Sequence, residues 1–224
     1  MSTTAYEAYR AIRERILSAA ARRIPQASAA SQGRALGVWH DKEVRVSNEA
    51  QFQLVLDLGV FGPVGGHSRA LDREAKVGDY PEGSEVARVL AALSRAHFTF
   101  FRVGATHPEG GVTAEDLLRG TPLHIQDQML AREEAQGCAF AGRLMRLDGF
   151  EMTCGALAPL SDEVIESLLG RPAPIKPIPQ FLPSLTPLVP EDVAALRAAG
   201  IAEDFVARVY RTSLEHGLLG PLPA

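Results

Sequence analysis

Cysteine is almost missing from this chain. Cys138 and Cys154 are its two cysteines and form no C-x-x-C pair; two thiols cannot close a structural zinc site on their own. No metal and no cofactor is therefore expected. Each cysteine lies in an apolar stretch, so both are read as buried free thiols behaving as small hydrophobes. A disulfide would need them opposite one another, which sequence spacing does not establish.

Long apolar runs are missing too: none approaches the roughly 18 residues of a membrane-spanning helix. The N-terminal stretch MSTTAYEAYRAIRERIL sets Arg and Glu inside its apolar pattern, so it does not read as a secretory signal, and a cytoplasmic protein is the expectation. A formal net charge of −4 supplies no general attraction to nucleic acid or to an anionic membrane.

Catalytic spacing is equally scarce. The six histidines, His40, His67, His97, His107, His124 and His216, make no H-x-x-x-H or H-E-x-x-H pair, and there is no G-x-S-x-G elbow. His124 and Asp127 are the nearest approach to an acid–base couple, but on a strand they point to opposite faces. No catalytic residue is assigned, and the balance leans away from an enzyme. The GPVGGHS stretch lacks both the Lys-Ser/Thr ending of a phosphate loop and G-x-G-x-x-G spacing, so it reads as an ordinary loop.

What the chain does have is ordinary globular material: 224 residues, 46% hydrophobic and 22% charged, enough to bury a real core. Between His97 and Leu160, short apolar runs alternate with PEGG, RGT, REEAQG and DG, the pattern of an antiparallel meander. Asp148-Gly149 predicts a tight hairpin between strands at about 140–147 and 150–157, because its turn needs positive φ. In HFTFFRV, Phe98 and Phe100 share one face while Thr99, Phe101 and Val103 share the other. Both faces are apolar, which implies a sheet covered on both sides or curled into a small barrel. The stem of Arg102 is expected to lie on the Phe98 and Phe100 rings.

Helices flank this centre. Thr4-x-x-Glu7 opens a helix over 4–24 with Tyr9, Ile12, Ile16, Ala20 and Ile24 at helical spacing, stopped by Pro25. Its outer face sets Arg10, Arg13, Arg15, Arg22 and Arg23 against Glu7 and Glu14, a candidate contact for an acidic partner beside the plainer reading of a solvated face. Gln26–Gly37 reads as a connector, with Trp39 beyond it as a core anchor. Further helices are expected after Ser47-Asn48-Glu49, Ser84 and Ser161-Asp162-Glu163. RPAPIKPIPQFLPSLTPLVP, with seven prolines, reads as a strap, and a helical hairpin closes the chain. The organisation expected is an N-terminal helix and connector (1–46), a central α+β domain (47–171), a Pro-rich strap (172–190) and a C-terminal hairpin (191–224).

The segments GGVTAEDLLRGTPLHIQDQMLA and FAGRLMRLDGFEMTCGALAPL resemble the middle region of certain bacterial proteins that carry a SEC-C metal-binding motif. The likeness rests on Asp116, Leu117, Leu118, Gly120, Gly142, Arg143, Leu144, Gly149 and Phe150 and covers about half of the chain. The Cys-rich zinc cluster that names that motif is absent here, so the resemblance implies a fold and a bacterial setting without a mechanism.

The function expected is a non-enzymatic protein-interaction or structural module, binding another protein or a second copy of itself. An enzyme or a small-ligand-binding regulator is the alternative, and weak nucleic-acid binding through the basic first helix a further one. Residues 97–160 hold five arginines against eight acidic residues, whereas residues 1–46 hold eight basic against four acidic; any nucleic-acid contact would therefore fall to the N-terminal helix.

Overall fold

A computed structural model describes residues 3–63, 68–174 and 185–222. The elements are α1 (Thr3–Ala21), α2 (Gln26–Leu36), a ribbon of β1 (Trp39–His40) and β2 (Glu43–Val44), α3 (Glu49–Phe61), α4 (Ala70–Val77) and α5 (Glu85–Ser94). Then come β3 (His97–Thr106), β4 (Val112–Asp116), β5 (Thr121–Ile125), a 3₁₀ turn at Glu133–Ala135, β6 (Ala139–Leu147), β7 (Phe150–Leu160), α6 (Asp162–Leu168), α7 (Pro190–Ala199) and α8 (Phe205–Glu215). The class is α+β, as the sequence pattern implies.

Helix starts follow local chemistry. The side chains of Asn48, Ser84 and Ser161 accept from the amides of Gln51, Ala87 and Val164, each satisfying a donor that has no partner within its helix. The β6–β7 hairpin turns at Asp148 (φ 49°) and Gly149 (φ 93°), the paired positive angles of the tight turn read from Asp-Gly.

The five long strands pair in the order β3-β4-β5-β7-β6, and β6 returns to β3. Every pairing is antiparallel except β5 with β7, which is a single parallel pair, Ile125↔Glu151. The sheet is thus strongly curled, its ring of pairings completed at one narrow point. This differs from a simple meander in that β6 skips β5 and joins β3. The skip is possible because residues 126–138 cross one end of the curl, where Leu130 and Ala135 are buried.

Both faces of β3 are covered, as its pattern requires. Phe101 and Val103 lie inside the curl with Val112, Ile125, Phe140 and Leu144. Phe100 packs outward beneath helices, among Leu54, Leu160, Phe205 and Tyr210. A second helical layer of α1, α4 and α5 covers Met145, Leu147, Phe150 and Met152 through Tyr9, Ile16, Leu71, Val89 and Leu93. Segments 1–46 and 191–224 therefore contribute to the same apolar clusters as the central region.

Several local expectations are corrected. The supposed connector after Pro25 is α2, which buries Ala30, Gly33 and Leu36; its Ala, Gln and Leu residues favour a helix once one side has a surface to bury. Gly33 gives Trp39 close approach to α2, since a Cβ there would sit 3.2 Å from Trp39 Cε3. Trp39 itself is half-buried rather than central, with the Arg34 guanidinium 5.5 Å from its ring centroid. The first helix ends at Ala21, three residues earlier than its apolar spacing implies. The polar 62–83 stretch contains α4, whose Ala70 and Leu71 are buried. Residues 64–67 of GPVGGHS, and 175–184 of the Pro-rich segment with Ile175, Ile178, Phe181 and Leu182, lie outside the described residues. From the end of that segment Leu185 is buried, and Arg102 donates to the carbonyls of Leu185 and Thr186.

Phe100 is 0% exposed and stacks on Phe205 with centroids 6.0 Å apart. Phe100→Ala is expected to cost about 3–5 kcal/mol by urea unfolding; a loss below about 1 kcal/mol would mean that the strand's outer face is not the packed surface described.

Candidate functional site

Two helices and one strand build a large cavity of about 880 Å³. On α1, one stripe of the amphipathic pattern (Tyr9, Ile16, Ala20) is buried, and a neighbouring stripe, Arg10, Arg13, Glu14, Leu17, Ser18, Ala21 and Arg22, forms one wall. On α3, Glu49, Phe52, Gln53, Leu56 and Val60 form the other. Cys154 and Gly155 of β7 and the side chain of Asp57 make the floor, and Met129 stands at the rim. Phe52 is 39% and Met129 58% exposed, so two large apolar side chains meet water at one mouth.

The floor exists because β7 bulges. Between the pairs Gly142↔Leu157 and Leu144↔Thr153 the register shifts, β7 taking the longer path, with Gly155 at φ 109°. Such a bulge interrupts the ladder, and the Thr153 carbonyl is met by Arg13, whose Nη1 donates to it at 2.6 Å. Arg13 is thus buried and serves the strand, a correction to its place on an outer face; its Nε is buried without a partner.

Beside it lies a buried ionic cluster. Asp57 on α3 accepts through Oδ2 from Arg143 Nε on β6 and from the Tyr210 hydroxyl on α8, each at 3.0 Å. The Asp57 side chain is 2% exposed, and its Oδ1 has no hydrogen-bond partner. The Arg143 guanidinium lies 5.0 Å from the Phe61 ring centroid and 5.8 Å from that of Phe98, where desolvation strengthens the cation–π attraction. Burial raises the Asp57 carboxyl above its ordinary value against the pull of the Arg143 charge. Burial and the adjacent Asp57 push the Tyr210 hydroxyl well up. Burial, with Asp57 adding to it, pushes the Cys154 thiol up to about 12.

The five arginines singled out on the first helix divide. Arg10, Arg13 and Arg22 line the groove. Arg10 also bonds Glu14 and Gln128, each at 3.0 Å. Arg15 is exposed and is not part of the lining. Arg23 bonds Glu74 across to α4. His124 and Asp127 are not brought together: Asp127 takes the Thr153 hydroxyl and the amides of Met129 and Leu130. His124 stacks instead on His107, with centroids 3.6 Å apart. His107, Glu109 and His124 place three ligand atoms within 4.8 Å of one another, a grouping that could hold a metal ion. His216 meets the Ser167 hydroxyl, and His97 is half-buried with its pKa lowered chiefly by burial.

With this geometry in hand, relatives can be considered. The family of unknown function DUF7986 matches residues 1–178, well over half of the chain. The chain belongs to this family. No curated protein and no solved structure matches it. Both walls of the groove, Asp57 and Arg143 fall inside the DUF7986 match, whereas Tyr210, α7 and α8 lie beyond it.

Cys138 and Cys154 are both free and buried, as expected of small hydrophobes. In the folded DUF7986 chain neither thiol should react with Ellman's reagent at pH 8, and both should react in denaturant. Cys154 also fixes a pH sign: its folded pKa lies above the unfolded value, so above about pH 9 the unfolded chain binds fewer protons. Stability should therefore fall as pH rises from about 9 toward 12, and fall less steeply in Cys154→Ala. Equal slopes by urea unfolding would contradict the burial of that thiol.

Proposed function

We propose that this DUF7986 member is a non-enzymatic binding module whose α1/α3 groove receives an amphipathic helix, with an acidic flank, from a protein partner. The observation that carries this reading is the meeting of Phe52 and Met129 at one mouth. Among the described residues six large hydrophobics are exposed, and these two share a cavity walled by Leu17 and Leu56. The α1 wall runs from Arg10 to Ala21, with Arg22 just beyond the helix end, about 17 Å at 1.5 Å per residue, or some three helical turns of a guest. Arg10 is paired with Glu14, and Arg22 at one end of the lining favours a negatively charged flank on the guest there. Two thiols kept free suit a reducing compartment, and a bacterial cytoplasm is part of the same proposal. No helix among the described residues is long and apolar enough to cross a membrane.

Nucleic acid is less well supported. Five-stranded Greek-key barrels that bind single strands do so on the face of their second and third strands. Here that face, β4 and β5, exposes Thr113, Glu115 and Pro122, and the arginines beside Glu115 are already engaged: Arg102 by the Leu185 and Thr186 carbonyls, Arg119 by Asp116 and Arg197 by the Leu118 carbonyl. Arg13 of the basic helix is buried.

Two synthetic helical peptides with one apolar face in common, flanked by Glu in one and by Lys in the other, test the proposal by fluorescence anisotropy. The acidic peptide is expected to bind at least 10-fold more tightly than the basic one. Phe52→Ser should weaken it at least 10-fold without lowering the melting temperature, and Arg22→Glu should erase the preference. Binding of neither peptide, or undiminished binding to Phe52→Ser, would overturn the reading.

A further inference from the structure

Outside the α1/α3 groove, the β3–β4 turn folds over β5. The turn is tight: the His107 amide donates to Gly111 O at 2.9 Å and the Gly110 amide to His107 O at 3.0 Å. Gly110 and Gly111 sit at φ 92° and 74°. Gly111 must be glycine, since a Cβ there would lie 2.2 Å from Ile125 O. That close approach carries His107 onto His124, the two rings 3.6 Å apart at 21°, with the Glu109 carboxylate in the same group.

We propose that His107, Glu109 and His124 form a binding site for a divalent transition-metal ion of the zinc class. This inference is independent of the groove. Two imidazoles and one carboxylate suit zinc, nickel or copper rather than magnesium or calcium. The orienting bond that such ligands require is present: His124 Nε2 lies 2.7 Å from Gly110 O. A carbonyl can only accept, so Nε2 carries the proton and Nδ1 keeps its lone pair for a metal. The lone pair of His107 Nδ1 is held by the Glu109 amide at 3.1 Å, an exposed bond that metal entry exchanges for a coordinate one.

A second observation points into the same place. His107, His124, Thr113, Arg146 and Glu151 line a cavity of about 360 Å³. Glu151 is only 5% exposed, and its Oε2 is buried without a hydrogen-bond partner. Its other oxygen is 4.0 Å from Arg146 Nε, the one cation of the lining. A cation at the histidines would give this desolvated carboxylate a compensating charge. Three protein ligands would also leave a coordination position open toward the cavity, the arrangement of reactive rather than structural zinc sites.

The test is titration of the full, untagged chain with zinc chloride by isothermal calorimetry, with magnesium chloride as the control. The expected result is one zinc per chain with micromolar or tighter affinity, no magnesium binding, and a higher melting temperature with zinc. His107→Ala and His124→Ala should each weaken zinc at least 100-fold. Glu109→Gln and Glu151→Gln should weaken it less, and the double variant Cys138→Ala/Cys154→Ala should leave it unchanged. Should His124→Ala fail to fold, His107→Ala, at a half-buried residue on an exposed turn, decides alone. Absence of zinc binding, or binding that survives His107→Ala, would overturn the site.

Discussion

The carboxylate of Asp57 joins two helices and the sheet beneath them at one buried point. It lies on α3 and takes its bonds from a β6 arginine and an α8 hydroxyl, so α3, α8 and the strand below them meet at one charge. Burying that charge is costly in itself. What it fixes is register, because Oδ2 can hold both donors only when α3, β6 and α8 stand in one relation. Phe61 and Phe98 flank the Arg143 guanidinium and keep water from competing for it.

The groove follows from the same constraint. With α3 held by Asp57 and α1 held through Arg13 to the bulged β7, each helix is anchored to the sheet and the groove opens between them. Leu17, Leu56 and Phe52 are then left facing a space instead of a neighbour. The β3–β4 end of the sheet is organised differently, by a glycine turn and a pair of stacked histidines. One small fold thus presents both a partly apolar cleft and a nitrogen-rich niche.

Much of the fold was legible where short-range chemistry decides it. The Asp148-Gly149 turn, the caps at Asn48, Ser84 and Ser161, and the two apolar faces of β3 all follow from residues within a few positions of one another. What escaped depends on long-range contact. Gln26–Leu36 looks like a linker because its burial is supplied by distant elements, α3 and α8. The return of β6 to β3 depends on a crossing segment whose anchors, Leu130 and Ala135, look ordinary. A signal for the buried cluster did exist: Asp57 is the lone charge within FQLVLDLGVF, and Arg143 stands between apolar residues in FAGRL. Neither shows its partner. His107 and His124, 17 positions apart, fit no ligand spacing, because hairpin register rather than helical pitch brings them together.

The dependence of the structure on the Asp57–Arg143 pair is best measured by a double-mutant cycle with Asp57→Leu and Arg143→Met, read by urea unfolding. Breaking one partner strands a buried charge, so Arg143→Met alone should cost about 3–5 kcal/mol, while the double variant, which leaves no charge to satisfy, should be less destabilised than that single one. Single losses below about 1 kcal/mol that simply add in the double variant would show that the layers are held by apolar packing alone.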